Sequence, residues 1–316
     1  MIHELSHSLV AQKYDLDVRE IELYLFGGVS KIEEEPRTPK SEMIISVVGP
    51  LSSLLIGLGL LALFFLPINL PSVISITLLY SGISNVGLSL FNLFPAFPID
   101  GGRILRAFLW KRKNDLLSAT KTASKVGTII GYGFIIYGFF QIFISGFLSG
   151  IWLILIGSFL NSSAKQSYLQ TKNDVILSNI GVKDILSVPL IGIPIEKDLN
   201  LAIRDYFVPY KKSYFPVIQN DEIVGIIHFN DISKIPLWER AKYNVGYFMR
   251  KLTEFQFIDD NLSGKEVLKK LNKLTQGPLL LIVEEKDSKE IIGFVGKSDL
   301  ISSLEFWNPN IENKQS

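Results

Sequence analysis

Charged residues are spread very unevenly along the chain. Residues 43–66, 72–93, 126–144 and 147–160 carry none, the last two runs being separated by Ser145 and Gly146. At about 1.5 Å per residue, some 20 helical residues cross a hydrocarbon core of about 30 Å. Four membrane helices are therefore expected, over about 43–66, 72–94, 126–144 and 147–163. Ahead of them, Val18, Ile21, Leu23, Leu25 and Phe26 lead into Gly27 and Gly28 and then Val29 and Ile32. That alternation, with glycines at a bend, predicts a short β-hairpin whose edge could pair with an extended peptide.

After residue 165 the pattern becomes that of a soluble domain. A polar linker is expected over 166–181, followed by two copies of one α/β unit at 182–236 and 245–305 and a tail at 306–316. Each copy opens on a short helical signal and continues into an amphipathic helix. Each then closes on strand, glycine, strand and aspartate: Pro216-Val217-Ile218, Gly225-Ile226-Ile227 and Asp231, matched by Leu280-Leu281-Ile282-Val283, Gly293-Phe294-Val295 and Asp299. The expected fold class is a multi-pass α-helical membrane domain with a short β-hairpin, followed by a soluble α/β pair.

Composition agrees with two solvents. Over 316 residues, a hydrophobic fraction of 47% and a mean hydropathy of +0.29 are high for a soluble chain. A net charge of +1 provides no field for nucleic acid, so no such partner is expected. Lys13, Arg19, Lys31, Arg37 and Lys40 precede the first run, and Arg103, Arg106, Lys111, Arg112, Lys113, Lys121 and Lys125 lie between the second and third. The connections at 67–71 and 145–146 are uncharged. Basic connections face the cytoplasm, which places everything after Leu160 there in a cell-membrane protein. The absence of cysteine excludes disulfides, thiolate metal sites and a cysteine nucleophile.

The candidate chemistry begins at His3-Glu4-Leu5-Ser6-His7. Histidines at i and i+4 project from one face of a helix, here 1–12, and can share a Zn²⁺ ion, while the glutamate can reach a water on that metal as general base. The chain has three histidines, and placing two at this spacing in an apolar region is costly without a metal. The third, His228, reads as a strand residue. A further ligand must be a carboxylate or amide, and Asp100 is the only acidic residue between Glu42 and Asp115. It ends Asn92-Leu93-Phe94-Pro95-Ala96-Phe97-Pro98-Ile99-Asp100-Gly101-Gly102, in which prolines break the helix and glycines allow close backbone approach. His3, His7 and Asp100 are the expected metal ligands, with Glu4 catalytic.

With both motifs in view the sequence resembles the site-2 protease family of intramembrane zinc metalloproteases, peptidase M50, in the subgroup with C-terminal tandem CBS domains. That resemblance implies zinc on His3, His7 and Asp100 and a membrane-protein substrate cleaved in or near its spanning segment. It also implies substrate contacts at Gly27, Gly28 and Asn92, and likens Gly49-Pro50 to the family's small-residue helix entry. Family members carry membrane helix upstream of the zinc motif, so an N-terminally truncated chain is expected. For the tail it implies an adenine nucleotide between the copies, contacted by Asp231 and Asp299, and pairing into a homodimer. The family pattern has Ser or Thr three residues before each aspartate, where this chain has His228 and Gly296. A non-enzymatic membrane protein with a CBS sensor or scaffold, or a pseudoprotease, is the alternative.

Overall fold

The computed structural model describes residues 1–16, 18–24, 27–32, 36, 38–67, 70–186, 190–274 and 279–307, with backbone alone for 18–24 and 27–32. These fall into two compact units, Met1–Lys172 and Asn173–Ser316.

Four helices have the length and apolarity to cross a membrane, three within the first unit and a fourth that begins there: α2 (Pro39–Phe65), α3 (Ser72–Asn92), α5 (Leu116–Ser145) and α6 (Phe147–Asn179). Two shorter elements carry the motifs, α1 (Ile2–Gln12) and α4 (Asp100–Lys113). α2 starts four residues before its uncharged run, because Thr38 Oγ1 accepts from Ser41 N at 3.1 Å and Pro39 opens the first turn. Large side chains such as Leu55, Ile76, Tyr80, Ile136, Phe143 and Phe159 are exposed along these helices, as a lipid-facing surface requires. Glycines bring helices together: a Cβ on Gly131 of α5 would stand 2.8 Å from the carbonyl oxygen of Gly157 in α6.

Two expectations are corrected in this unit. α5 begins at Leu116 and not near residue 126, since Asp115 caps it through Ser118 N and the exposed Lys121 and Lys125 lie on its first turns. Arg106 does not belong to a solvated basic connection. It is 3% exposed on α4, with its Nε donating to Glu42 Oε1 at 2.6 Å. Between α1 and α2, the antiparallel strands β1 (Val18–Tyr24) and β2 (Gly27–Ile32) form the expected hairpin, with Gly28 opposite Leu23 and Gly27 opposite Tyr24. Phe26, between them, lies outside the described residues.

A third correction falls at 166–181. In place of a polar linker, α6 continues to Asn179, a stretch free of glycine and proline, and its Ile176 and Leu177 are buried in the core of the second unit. That unit repeats one strand order. Its first sheet joins β3 (Ile193–Pro194), β4 (Tyr214–Gln219) and β5 (Glu222–His228), with β3 parallel and β5 antiparallel to β4, and adds β6 (Arg250–Lys251) at the edge. The second joins β7 (Gln256–Asp259), β8 (Leu280–Glu284) and β9 (Ile291–Gly296) in the same senses. Helical turns at Leu199–Tyr210 link β3 to β4 and α7 (Gly264–Lys273) links β7 to β8, while short helices at Phe229–Ser233 and Lys297–Phe306 follow β5 and β9. The short opening helices are exchanged. Val182 and Ile185, which open the first copy, pack with Ile258, Val267 and Leu281 of the second, whereas Val245, which opens the second, packs with Ile193, Val217 and Ile227 of the first. Tyr214 and Ile226 join Leu280, Ile282 and Phe294 in a third apolar cluster between the copies. Residues 308–316 of the expected tail lie outside the described residues.

Candidate metal centre

α1 is a short helix whose buried face carries His3, His7, Ser8 and Ala11, the i, i+4 spacing that the motif demands. It packs on α2, and the hairpin lies alongside it. Two hydrogen bonds to α2 orient the rings. His7 Nδ1–H donates to Ile45 O at 2.7 Å, and His3 Nδ1 is hydrogen-bonded to Ser53 Oγ at 3.1 Å. With each Nδ1 turned to the scaffold, each Nε2 is left facing inward.

The third group comes from the far end of α3. Pro95 and Pro98 end that helix, the chain turns, and α4 starts on Asp100 with its carboxylate buried. Close packing holds this turn. A Cβ on Gly101 or Gly102 would run into the backbone of Leu93 or Phe97, and one on Gly127 of α5 into the carbonyl of Phe97. Asp100 Oδ2 stands 3.2 Å from His3 Nε2 and 3.3 Å from His7 Nε2, and the two nitrogens are 3.2 Å apart. Donors about 2.0–2.1 Å from a tetrahedral zinc ion lie about 3.3–3.4 Å from one another, so the triangle has the spacing that zinc requires. Two imidazoles and a carboxylate are also the donor set that zinc favours, and this is the one such buried cluster among the described residues. Asn92, at the end of α3, brings its Nδ2 to 3.5 Å from His3 Nε2. Glu4 follows His3 on α1 and is half-buried.

Residues 1–138 match the model of peptidase family M50 in two overlapping segments, 1–75 and 68–138. The zinc metalloprotease MJ0392 of Methanocaldococcus jannaschii is 30% identical over 308 residues, which span 96% of this chain and 82% of that protein. The chain belongs to peptidase family M50. It is therefore a metalloendopeptidase, which decides against the non-enzymatic alternative. Rip3 of Mycobacterium tuberculosis is similar at 26% identity over 310 residues, 97% of this chain and 78% of Rip3. Among solved structures, the ATP complex of the CBS domain of a bacterial CNNM/CorC family Mg²⁺ transporter resembles 44% of this M50 chain and 97% of that domain. With 20% identity and a TM-score of 0.36, that likeness carries no argument of its own.

In the second unit the two aspartates are engaged by protein groups. Arg250 holds Asp231 in a fork, Nε to Oδ2 at 2.9 Å and Nη2 to Oδ1 at 2.8 Å, and these hydrogen bonds keep the carboxyl below its ordinary pKa. Asp299 Oδ2 accepts from Tyr214 O–H at 2.6 Å and from Gly296 N at 2.7 Å. Burial first, then Asp299, pushes the Tyr214 phenol well above its usual range, so it stays a donor. His228 ends β5 and accepts from Asn230 N at 3.1 Å, and burial holds its pKa down. Sequence reasoning missed Ser53, the Ile45 carbonyl, Glu42 and Arg106. For Glu42 and Arg106 a signal existed, since an acid and a base flank apolar runs on helices that the motifs bring together.

Proposed function

We propose that this M50 peptidase hydrolyses a peptide bond in or near a membrane-spanning segment of another protein, with His3, His7 and Asp100 as zinc ligands and Glu4 as general acid and base. The observation that carries the reading is the triangle of Nε2, Nε2 and Oδ2 atoms at 3.2–3.3 Å, built by two separate motifs. Zinc held there would polarise the scissile carbonyl and make water nucleophilic at neutral pH. The Glu4 carboxylate takes the proton from the attacking water and returns it to the departing amide nitrogen. Asn92, beside His3, donates Nδ2–H toward the substrate carbonyl. A helical substrate has its amides already bonded and must unwind, and the outer edge of β2 at Gly27 and Gly28 receives the extended strand.

The exposed Lys111, Arg112, Lys113, Lys121 and Lys125 support a cytoplasmic face for the α4–α5 junction and for the second unit. An adenine nucleotide binding between the copies at Asp231 and Asp299 would exchange with Arg250 and Tyr214 and so alter how the copies meet. The test uses the full chain in proteoliposomes with a single-span substrate. Wild type is expected to hold one zinc and cleave. Glu4→Gln should keep the zinc and lose at least about 10²-fold in rate, the low end of what general acid–base catalysis supplies. No zinc in active protein, or unchanged cleavage by Glu4→Gln, would sink the reading.

A further inference from the structure

We infer that Glu42 and Arg106 form a positioning pair that sets where Asp100 stands against the two histidines. The inference rests on the zinc reading and extends it to residues outside the ligand shell. One face of α2, through Glu42, Ile45, Ser46, Gly49 and Ser53, is buried. Along it, Ser53 meets His3, the Ile45 carbonyl meets His7, and Gly49 leaves room for the His7 ring. One turn before Ile45, Glu42 meets Arg106, with Oε1 2.6 Å from Nε and 2.5 Å from Nη2. Arg106 lies on α4, the helix that Asp100 begins, and its guanidinium stands 5.0 Å from the centroid of the Phe97 ring in the turn that delivers Asp100.

A single cation thus touches α2 and the turn before Asp100, and belongs to the helix after it. α2 becomes the common reference for all three ligands, orienting two by hydrogen bonds and the third through the ion pair. Stability alone is a poor reason for such a pair, because well-packed apolar residues of similar volume commonly serve as well. Geometry is a better one, since a planar guanidinium fixes the direction of its partner and a lysine does not.

The test is the full chain in detergent micelles titrated with Co²⁺ as a visible stand-in for zinc, with absorbance expressed per bound metal so that unfolded protein drops out. Wild type should bind one Co²⁺ with the strong bands of a four-coordinate site. Glu42→Gln and Arg106→Lys should each shift those bands and weaken binding about 10-fold, as loss of an outer partner does. The double variant should be no weaker than either single one. Phe97→Leu leaves both charges in place and should shift the bands in the same direction by less, which keeps the test open if a charge variant fails to fold. Folded variants with wild-type bands and affinity would make the pair merely structural and overturn the inference. Wild type without Co²⁺, or His3→Ala binding as wild type does, would instead overturn the zinc reading and this inference with it.

Discussion

Replacing Gly49 by alanine tests the centre without replacing any of its three groups. An added Cβ at this position would stand 2.5 Å from His7 Cε1 and 2.8 Å from Cδ2, with Nε2 nearer still. Ordinary contact begins at 3.4 Å, so the ring must move by roughly 1 Å or the helices must part. The ring is not free to swing, because His7 Nδ1 is bonded to Ile45 O at 2.7 Å on the same helix as Gly49. Metal–ligand distances tolerate about 0.2 Å, and a 1 Å misplacement can cost about 10²-fold in rate. Helix propensity points the other way, since alanine in mid-helix is favoured over glycine by about 0.5–1 kcal/mol. The Gly49→Ala protein should therefore stay folded, lose zinc affinity about 100-fold or more, and lose cleavage in parallel. Competition with a chromophoric chelator measures the affinity, and thermal unfolding in micelles checks the fold. Gly59→Ala is the matched control, with nothing within 4 Å of its Cβ on the same helix, and should bind zinc as wild type does. A folded Gly49→Ala protein with wild-type zinc affinity would refute the packing argument.

Gly127→Ala should act at a distance in the same way, because its Cβ would press on the Phe97 backbone before Asp100; about 1–3 kcal/mol of overpacking is expected, read as lower zinc occupancy, whereas Gly133→Ala, with open space around it, should be silent. Tyr214→Phe removes a hydrogen bond to a carboxylate between the two copies and should cost about 1.5–3 kcal/mol, seen as a lower unfolding midpoint for the second unit with zinc content unchanged. Asp231 supplies a pH dependence. Its folded carboxyl titrates below the ordinary 3.8, so the stability that Arg250 adds is complete above that value and is lost as pH falls through the lower folded one. The difference in unfolding midpoint between wild type and Asp231→Asn should hold steady near neutrality and close below about pH 4; a constant difference down to acid unfolding would exclude this account.

Hydropathy made α2, α3 and the centres of α5 and α6 legible, because an uncharged run of membrane length has few other structures open to it. It was silent on α4. That helix carries Arg103, Arg106, Lys111, Arg112 and Lys113, and its buried face is only Asp100, Gly101, Gly102, Arg106 and Ala107. Counting charges assigns such a segment to water, and the contacts of Arg106 with Glu42 and Phe97 show otherwise. Residue type and spacing did name the atoms that converge, since an i, i+4 histidine pair and a lone carboxylate between apolar runs have few bland explanations. The groups that hold the two histidine rings were not legible, because the Ile45 carbonyl is backbone and Ser53 is one of several serines on an apolar helix. In the second unit the repeat could be read, yet the exchange of opening helices could not, as similar copies offer similar grooves to Val182 and Val245.

The ion pair between Glu42 and Arg106 also bears on how the protein is made. The two residues are 64 apart, so a chain growing from its N-terminus presents α2 to the membrane well before its counter-charge exists. A charged residue at the centre of an inserted helix costs about 2.5–3.5 kcal/mol, less near an end, and Glu42 sits in the first turn of α2. The early α2 is thus best accommodated with its carboxylate at the membrane surface, where water solvates it. Docking of α4 then neutralises the carboxylate and lets the start of α2 settle into the bundle. On the proposed ligand set, the centre is complete only once α4 has been made and docked, which would make its assembly a late event in biogenesis.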